Sequence, residues 1–367
     1  MRICFISQNV KLDNGSGRFA HSMISTLTHE YGIEPVILIE RGEQPVLPHT
    51  YAVLFKRNPL LTFLVNPLLI AWYARGCAFM HAFDGWPYGV MTYIASCMNG
   101  EPYSMSLFAT YAVAPLYRAR QRPLMIRAYR RSKLNAAISH ITARKLHDAW
   151  QAMPVAVVLQ GIDYNAYQTP RPTSIPSDTP FILTVGTLKQ RKGYHYALPA
   201  FAALYDAFPH LKYVIVASSG IDSYAQRMEK LIDKLIIRES VILLKGLSEN
   251  ELIGLYQHAL AFFLPSVSVE SRDYFEGFGS VYLEAQACGT PVVTSRGGGQ
   301  EDALIDGRTG YLVPEGDVDG YVTALAKIVD DTAHRSELSR AAKGFAASMD
   351  WKNNIKPYVE IFNRYGA

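Results

Sequence analysis

Residues 276–293, EGFGSVYLEAQACGTPVV, combine glycines, a helical pattern and two carboxylates in one short window. The glycines allow a ligand to approach the backbone, and Ser280 is a suitable N-cap for a helix that stops at Gly289. A helix N-terminus binds phosphate through its free N–H groups and positive dipole end. Glu284 lies one turn into that helix, where its carboxylate could accept from two ribose hydroxyls. The window predicts a phosphate and ribose site, with a solvated surface helix as the alternative.

A second window, FILTVGTLKQRKGYHYAL (181–198), places cations directly after a predicted buried strand that ends at Gly186. Lys189, Arg191 and Lys192 follow in a loop before the next helix. Ligands of parallel α/β sheets bind beyond the carboxyl ends of strands, so these cations are expected where a diphosphate needs neutralising. The spacing is not that of a Walker loop, and an exposed basic loop is the alternative.

The first strand–helix turn, LDNGSGRFAHSM (12–23), is a third candidate anion site. Gly15 and Gly17 precede a helix and offer backbone amides. Ala20 stands where the dinucleotide fingerprint has its third glycine, so a nicotinamide cofactor has no support. The sequence shows no His/Asp cluster with metal-ligand spacing, and no metal is expected.

The elements that must position these groups alternate along the chain. Short apolar runs with strand character are separated by helical patterns, which indicates parallel α/β sheets with right-handed crossovers. The predicted strands are residues 3–7, 35–40, 136–139, 155–159, 181–186, 212–217, 241–246, 260–265 and 291–295.

The clearest break in this alternation is residues 164–180, which contain four prolines and no apolar periodicity. It is interpreted as an interdomain linker. Two doubly wound, Rossmann-like domains are therefore expected to face each other across a cleft, residues 1–165 and 166–348. An amphipathic helix pattern in residues 349–367 could end the second domain or cross back to the first.

Composition narrows the class of protein. The 367 residues are 49% hydrophobic and 19% charged, which excludes a disordered, collagen-like or coiled-coil chain. The four cysteines form no C-x-x-C pair and indicate free thiols in a reducing compartment. The most apolar stretch, residues 59–74, is interrupted by Asn66-Pro67 and is too short to span a bilayer. A cytosolic protein is expected, and contact with a membrane surface stays open.

The net charge of +4 hides an uneven distribution. Residues 1–165 carry 16 Lys/Arg and 9 Asp/Glu (+7), whereas residues 166–367 carry 20 and 23 (−3). Residues 102–147 contain no acidic side chain, and most of their cations fall between Arg118 and Lys133 among apolar residues. This segment predicts a surface attracted to anionic lipid. A solvated helix face is the alternative, and nucleic-acid binding is disfavoured because no nucleic-acid module is recognisable.

Four motifs in one order resemble the family-4 retaining glycosyltransferases with the GT-B fold. They are the GSG loop of residues 15–17, VVLQGID (157–163), VGTLxxRKG (185–193) and the window 276–293. The segment VYLEAQACGTPVV is similar to bacterial phosphatidylinositol mannosyltransferases, as is the long loop between Ser266 and Glu276.

The resemblance implies roles for charged side chains. Glu276 is expected to contact hydroxyls of the donor sugar, and Glu284 to hold the ribose. Lys192 and Arg191 are expected to neutralise the diphosphate leaving group. Fixed cations, amides and a helix dipole could then replace a metal ion.

It also implies backbone contacts with the donor. The segment from Gly277 to Val281 would hold sugar and phosphate, the glycine loop of the first domain would close over the phosphates, and Gly246 would lie near the base. The residues expected in these contacts are Gly15, Ser16, Gly17, Gly186, Thr187, Gly246, Leu247, Gly277, Phe278, Gly279, Ser280 and Val281.

Two positions depart from the family pattern. Thr187 stands where many members carry arginine, and Arg191 is expected to compensate. Phe108 stands where the family's active-site histidine is expected, and phenylalanine cannot make its hydrogen bonds. His81 or Asp84 could face the same cleft as catalytic groups, with a core histidine and a turn aspartate as the alternatives.

The resemblance therefore implies a retaining hexosyltransferase that uses GDP-mannose or a UDP-sugar and needs no metal or other cofactor. A lipid-linked or polysaccharide acceptor is expected, with peripheral contact to the inner leaflet of the cytoplasmic membrane. A nucleotide-sugar-binding protein with little transfer activity is the alternative from another class. A phosphorylase or an epimerase with this fold is a third option.

Overall fold

A computed structural model describes residues 1–56, 58–217, 222–268 and 275–366 of the chain. The chain divides into two compact units. The first unit comprises Met1–Gly161 and Trp351–Ala367, and the second unit comprises Ile162–Asp350. Each contains one parallel sheet covered by helices.

Seven strands form the sheet of the first unit: β1 (Arg2–Ile6), β2 (Glu34–Glu40), β3 (Thr50–Leu54), β4 (Phe79–Phe83), β5 (Tyr103–Leu107), β6 (Asn135–Ala137) and β7 (Ala156–Val157). Their order is β3-β2-β1-β4-β5-β6-β7, and all described pairs are parallel. The order reverses between β1 and β4, which creates the switch point where ligands bind in doubly wound sheets.

The helices of the first unit are α1 (Gly15–Tyr31), α2 (Asn66–Tyr73), α3 (Val90–Asn99), α4 (Ala109–Val113), α5 (Arg122–Arg131), α6 (His140–Ala149), α13 (Trp351–Asn354) and α14 (Lys356–Tyr365). Helix α1 shows how the sequence sets an element. The side chain of Asn14 caps its first turn, and Gly32 ends it in the left-handed conformation at φ +62°. Its apolar residues, Phe19 among them, face the sheet.

The second unit has a six-stranded sheet: β8 (Phe181–Val185), β9 (Lys212–Val216), β10 (Val241–Leu244), β11 (Ala261–Phe263), β12 (Val292–Ser295) and β13 (Gly310–Val313). Their order is β10-β9-β8-β11-β12-β13, with a switch point between β8 and β11. Its helices are α7 (Tyr194–Ala207), α8 (Asp222–Lys234), α9 (Glu249–His258), α10 (Ser280–Ala287), α11 (Val318–Asp330) and α12 (Thr332–Ser348). The predicted class, two doubly wound parallel α/β sheets, is confirmed.

The C-terminal residues pack on the first unit. The Trp351 ring lies 4.8 Å from that of Phe19, and the Tyr358 hydroxyl lies 2.8 Å from the hydroxyl of Ser106. Of the two placements that the sequence left open for this helix, the structure therefore has the one that crosses back.

The proline-rich segment 164–180 belongs to the second unit rather than lying between the two. Tyr167 and Ile175 are buried. Gln257 of α9 donates to the carbonyls of Tyr167 and Thr169, at 3.0 and 2.9 Å. Its interpretation as a linker is corrected accordingly, because the segment packs against α9 of the second unit.

No helix within the described ranges combines the length and the apolar character needed to cross a membrane.

Candidate functional site

The switch point of the second unit gathers a charged cluster. Gly186 follows β8, and Ser266 lies three residues after β11, at the carboxyl edge of the sheet. The carboxylate oxygen Oε2 of Glu276 accepts from Lys192 Nζ at 2.5 Å, from Arg191 Nη1 at 2.8 Å and from Ser266 Oγ at 3.3 Å. Three predicted site residues are thus brought together, and the exposed-loop alternative for Lys192 is wrong because that side chain is buried.

Electrostatics keep the carboxylate of this cluster ionised. Burial alone would raise the pKa of Glu276, but the attraction of Lys192 and Arg191 and the hydrogen bonds from Lys192 and Ser266 lower it to about 2. Burial lowers the pKa of Lys192, while Glu276 opposes that shift. An anionic ligand would therefore meet two cations that are already oriented by a carboxylate.

Uncharged side chains hold the cluster in place. The Tyr282 hydroxyl lies 2.8 Å from Ser266 Oγ and 3.1 Å from the carbonyl of Leu264. Thr294 donates to the same carbonyl at 2.7 Å. Sequence reasoning missed Ser266, Tyr282 and Thr294, since nothing in their local pattern separates them from ordinary core residues.

The glycine turn before α10 approaches neighbouring backbone closely. The helix starts at Ser280, and its N-cap is Gly279 at φ +85°, so Ser280 is not the N-cap that the sequence predicted. A Cβ at position 279 would lie 2.3 Å from the Tyr282 ring, which explains the glycine at this N-cap. Gly277 and Val281 remain partly accessible and Phe278 is buried, which leaves backbone and not large side chains at the helix start.

A second glycine run, residues 297–299 after β12, supports this turn. The amide of Gly299 donates to the carbonyl of Glu276 at 2.8 Å, and a Cβ on Gly299 would lie 2.0 Å from the carbonyl oxygen of Gly277. Any larger residue would push the two loops apart. These glycines were not among the predicted site residues, although three in a row after a predicted strand are a visible signal.

Glu284 is buried inside the unit. It is 4% exposed, and its Oε2 accepts from the Tyr256 hydroxyl of α9 at 3.0 Å. The solvated alternative is therefore wrong. Its position one turn into α10 keeps it near the glycine turn.

The other predicted residues of the second unit lie along the same carboxyl edge. Thr187 is partly accessible beside Gly186, and its carbonyl accepts from the Lys189 amide at 2.8 Å. Gly246 follows the edge strand β10 at φ +68° and is exposed, and Leu247 beside it is half-buried. Strand β9 separates β10 from β8, so Gly246 and Leu247 lie apart from the charged cluster.

The glycine loop of the first unit is closely packed. Asn14 Oδ1 accepts from the Gly17 amide at 2.9 Å and from the Ser16 hydroxyl at 3.1 Å. A Cβ on Gly17 would lie 2.2 Å from Asn9 Oδ1, which explains the glycine, whereas Gly15 has open space. An anion at this helix would find the Gly17 amide already paired.

His81 is a core residue and not an accessible catalytic group. It is fully buried in β4, and its Nδ1 and Nε2 lie 2.8 and 3.0 Å from the hydroxyls of Ser104 and Ser106. Burial lowers its pKa to about 3, so the ring is neutral. The catalytic prediction for His81 is corrected to the core alternative.

Asp84 directly follows β4 at the switch point of the first unit. It has φ +97°, and its carboxylate accepts from the Gly85 amide at 2.7 Å and from the amide of Phe108. Burial raises its pKa well above the usual range, against those hydrogen bonds. Asp84 therefore makes the contact of a turn aspartate and also lies at the sheet edge where a catalytic group was expected, so both interpretations stay open.

Phe108, the residue in place of the expected histidine, joins an aromatic cluster. Its ring centroid lies 4.9 Å from that of Phe19, which in turn contacts Trp351. Phe108 therefore contributes packing at this position.

The basic segment from Arg118 to Lys133 centres on α5. Met125, Ala128 and Tyr129 face the core, while Arg127, Arg130 and Arg131 are exposed. The helix is amphipathic as expected, but its apolar side is buried in its own unit.

The long loop before Glu276 is described only in part. Residues 269–274, within the long loop before Glu276, are not among the described residues. Within the ranges that are described, no group of three or more His, Cys, Asp or Glu side chains is placed to hold a metal ion.

Residues 168–345 match the family model described as glycosyl transferases group 1. This part of the chain is a glycosyl transferases group 1 domain. It coincides with most of the second unit and contains the charged cluster, which confirms the resemblance to glycosyltransferases that the motifs indicated.

Relatives of known description match somewhat more than half of this chain. The D-inositol 3-phosphate glycosyltransferase of Corynebacterium urealyticum is 33% identical over 222 residues, which are 57% of this chain and 50% of that protein. The GDP-mannose-dependent alpha-(1-6)-phosphatidylinositol monomannoside mannosyltransferase of Mycolicibacterium smegmatis is 31% identical over 51% of this chain and 48% of its own length. The matches thus span about half of each relative.

Solved structures match nearly the whole chain. Sucrose-phosphate synthase from Thermosynechococcus elongatus has a TM-score of 0.80 at 18% identity and covers 99% of this chain and 98% of that one. The Anabaena protein HepE in complex with UDP-glucose has a TM-score of 0.79 at 19% identity and covers 99% and 100%. The chain has the GT-B fold of these proteins.

Proposed function

We propose that this protein is a retaining glycosyltransferase that transfers a hexose from a nucleotide-diphosphate sugar. The observation that carries the proposal is the cluster of buried Glu276 and Lys192 with partly exposed Arg191, beside the glycine turn of the group 1 domain. Its two cations and the start of α10 form a surface for a diphosphate, and Glu284 lies one turn further for a ribose.

The reaction breaks the bond between the anomeric carbon and the diphosphate oxygen and forms one to an acceptor hydroxyl oxygen, whose proton is released. Negative charge develops on the departing diphosphate. Lys192 and Arg191 stabilise that charge from fixed positions, which is the main source of catalysis in such sites. Glu276 orients both cations and offers its carboxylate to sugar hydroxyls. Retention follows from front-face attack, with the acceptor on the side from which the diphosphate leaves, and no metal is required.

For the donor, both GDP-mannose and UDP-sugars have support. The relative from M. smegmatis is GDP-mannose-dependent, and the HepE structure contains UDP-glucose. GDP-mannose is slightly favoured, because the sequence similarity to that relative is higher.

The acceptor is proposed to be lipid-linked or a polysaccharide, at the inner leaflet of the cytoplasmic membrane. The support is the net charge of +7 in residues 1–165 and the exposed arginines of α5. Neutralising Arg127, Arg130 and Arg131 together should reduce pelleting with anionic vesicles at low salt. Pelleting that is indifferent to these charges would identify a merely solvated face.

The deciding experiment measures donor turnover. Release of GDP or UDP from a panel of donor sugars, with and without an acceptor extract, should show turnover that rises with acceptor. Binding of a donor without any turnover would support the alternative, a nucleotide-sugar-binding protein, and would end the enzyme proposal.

A further inference from the structure

The helical segment 60–73 of the first unit carries its polar and apolar side chains on unexpected sides. It begins with a π-helical turn, Leu61–Val65, and continues as α2. Thr62 and Asn66 are buried, whereas a row of large apolar side chains spaced four residues apart faces outward. We call this row the apolar stripe; its members Leu60, Leu64, Leu68 and Trp72 are 65%, 60%, 54% and 56% exposed. A helix on a water-facing surface normally shows the opposite pattern.

Hydrogen bonds fix this orientation. Asn66 Nδ2 donates to the carbonyl of Phe55 at 2.8 Å, and its Oδ1 accepts from the Phe55 amide at 2.9 Å. Thr62 Oγ1 donates to the carbonyl of Asn58 at 2.8 Å. A rotation that buried the leucines would break these bonds and leave polar groups unpaired. The outward stripe is therefore a defined feature of the fold.

The stripe shares one side of the sheet with the basic helix. The connections from β3 to β6 all move in one direction across the sheet, so right-handed crossovers place α2, α3 and α5 on the same face. Helix α3 contacts both α2 and α5. Tyr93 of α3 interacts electrostatically with Arg127 and Arg131, and the neighbouring Met98 is exposed.

The two helices supply different properties. Met125 and Tyr129 of α5 are buried, with the Tyr129 hydroxyl donating to the carbonyl of Ala112 at 2.8 Å, so the exposed side of α5 is dominated by its arginines. The stripe presents apolar surface only. Around them, residues 44–147 contain twelve Lys or Arg and two acidic residues, Asp84 and Glu101. A surface of this kind complements an anionic lipid bilayer.

We propose that the apolar stripe inserts into the headgroup region of an anionic bilayer while the arginines of α5 attract its headgroups. This deepens the proposed contact with anionic lipid and rests on it. A second copy of the chain is the less suitable occupant, because pairing the same faces would bring two positively charged surfaces together.

The test uses the full chain and vesicles of phosphatidylglycerol and phosphatidylcholine at low and at high salt. Leu64→Gln combined with Leu68→Gln should lower the partition coefficient at least about tenfold at both salt concentrations, because inserted apolar area is lost. Ile236→Gln is the matched control, since Ile236 is 89% exposed in the second unit, and should bind as the parent does. The variant in which Arg127, Arg130 and Arg131 are neutralised should lose vesicle binding at low salt and should bind nearly as the parent does at high salt.

Trp72 gives a second readout that does not depend on the leucine variants. Brominated lipid should quench part of the parent's tryptophan fluorescence, and Trp72→Phe should abolish that part. Equal partitioning of the leucine variant and the parent, or no quenching at Trp72, would overturn the proposal. So would a parent dimer that the leucine variant dissociates, because the stripe would then serve self-association.

Donor turnover without lipid separates this inference from the proposed function. The leucine variant should release nucleotide as fast as the parent. Vesicle binding by a protein that turns over none of the donors would refute the proposed transferase activity and support the lipid contact. Donor turnover without vesicle binding would refute the lipid contact and support the transferase activity.

Discussion

The switch points of the two sheets hold polar groups of opposite character. Between β8 and β11 of the second unit, ionised Glu276 lies among Lys192 and Arg191. At β4 of the first unit, beside β1, His81 is neutral, and the carboxyl of Asp84 is disposed to protonation. The same topology therefore holds an ionised carboxylate in one case and a neutral imidazole in the other. Fold alone does not decide which ligand a switch point accepts.

The partners of each buried group explain the difference. A buried charge is tolerated only with a partner, and otherwise the group shifts its pKa and becomes neutral. Glu276 has two cationic partners, and its pKa falls to about 2. His81 meets only serine hydroxyls, and its pKa falls to about 3, towards the neutral form. Cationic partners therefore keep buried Glu276 charged, whereas burial among hydroxyls keeps His81 neutral.

The largest effect should come from the cluster. Lys192→Ala should lower donor turnover about 10²- to 10³-fold, the usual loss when one group that stabilises developing charge is removed. Lys189→Ala is the matched control, an exposed neighbouring cation that should change turnover less than about threefold. Nucleotide release rates with saturating donor measure both. Similar losses in the two variants would mean that general positive charge, and not the buried position, matters.

Local patterns predicted much of this cluster, because strand ends, glycines and adjacent cations are neighbours in sequence. The ion pair between Glu276 and Lys192 joins residues 84 positions apart in the sequence. The sequence predicted a sugar contact for Glu276 and a diphosphate contact for Lys192, but no contact between the two. The neutrality of His81 and the inward side of Asn66 depend on packing between distant segments, which spacing does not encode. Residues that act through other residues, such as Tyr282, are missed for the same reason.

Glu284 offers the next largest effect. Glu284→Ala should weaken binding of GDP or UDP by about 1–3 kcal/mol, the range for a lost charged acceptor. Tyr256→Phe removes the hydroxyl that donates to Glu284 and should weaken binding less. Titration calorimetry with free nucleotide measures both. Unchanged nucleotide affinity in Glu284→Ala would remove the ribose role and leave the carboxylate as a core group.

Acid stability should separate the two sheets. Because the pKa of His81 falls from 6.5 in the unfolded chain to about 3 in the fold, protonation favours the unfolded state below pH 6.5. The expected loss at pH 5 relative to pH 8 is about 2 kcal/mol. The stability that Glu276 contributes is present above its usual pKa of 4.5 and is lost only as the pH falls towards 2.

Urea unfolding of the parent and of His81→Gln at both pH values isolates the histidine contribution. The variant should lose less free energy of unfolding between pH 8 and pH 5, because it has no ring to protonate. An identical pH dependence in both proteins would show that the first sheet does not hold His81 neutral.

The smallest effect concerns Asp84. A carboxyl whose pKa is raised by folding contributes stability below its usual pKa of 3.8 and loses it as pH rises through the folded value. Asp84→Asn keeps an oxygen for the amides of Gly85 and Phe108 without the charge, so its stability relative to the parent should increase as the pH rises above 3.8. Donor turnover in the same variant decides the role. If donor turnover is unchanged, Asp84 is a turn residue, and neither His81 nor Asp84 needs a charge for transfer. If turnover falls while stability holds, the carboxylate takes part in transfer, and the contrast between the two sheets is one of protonation state and not of function.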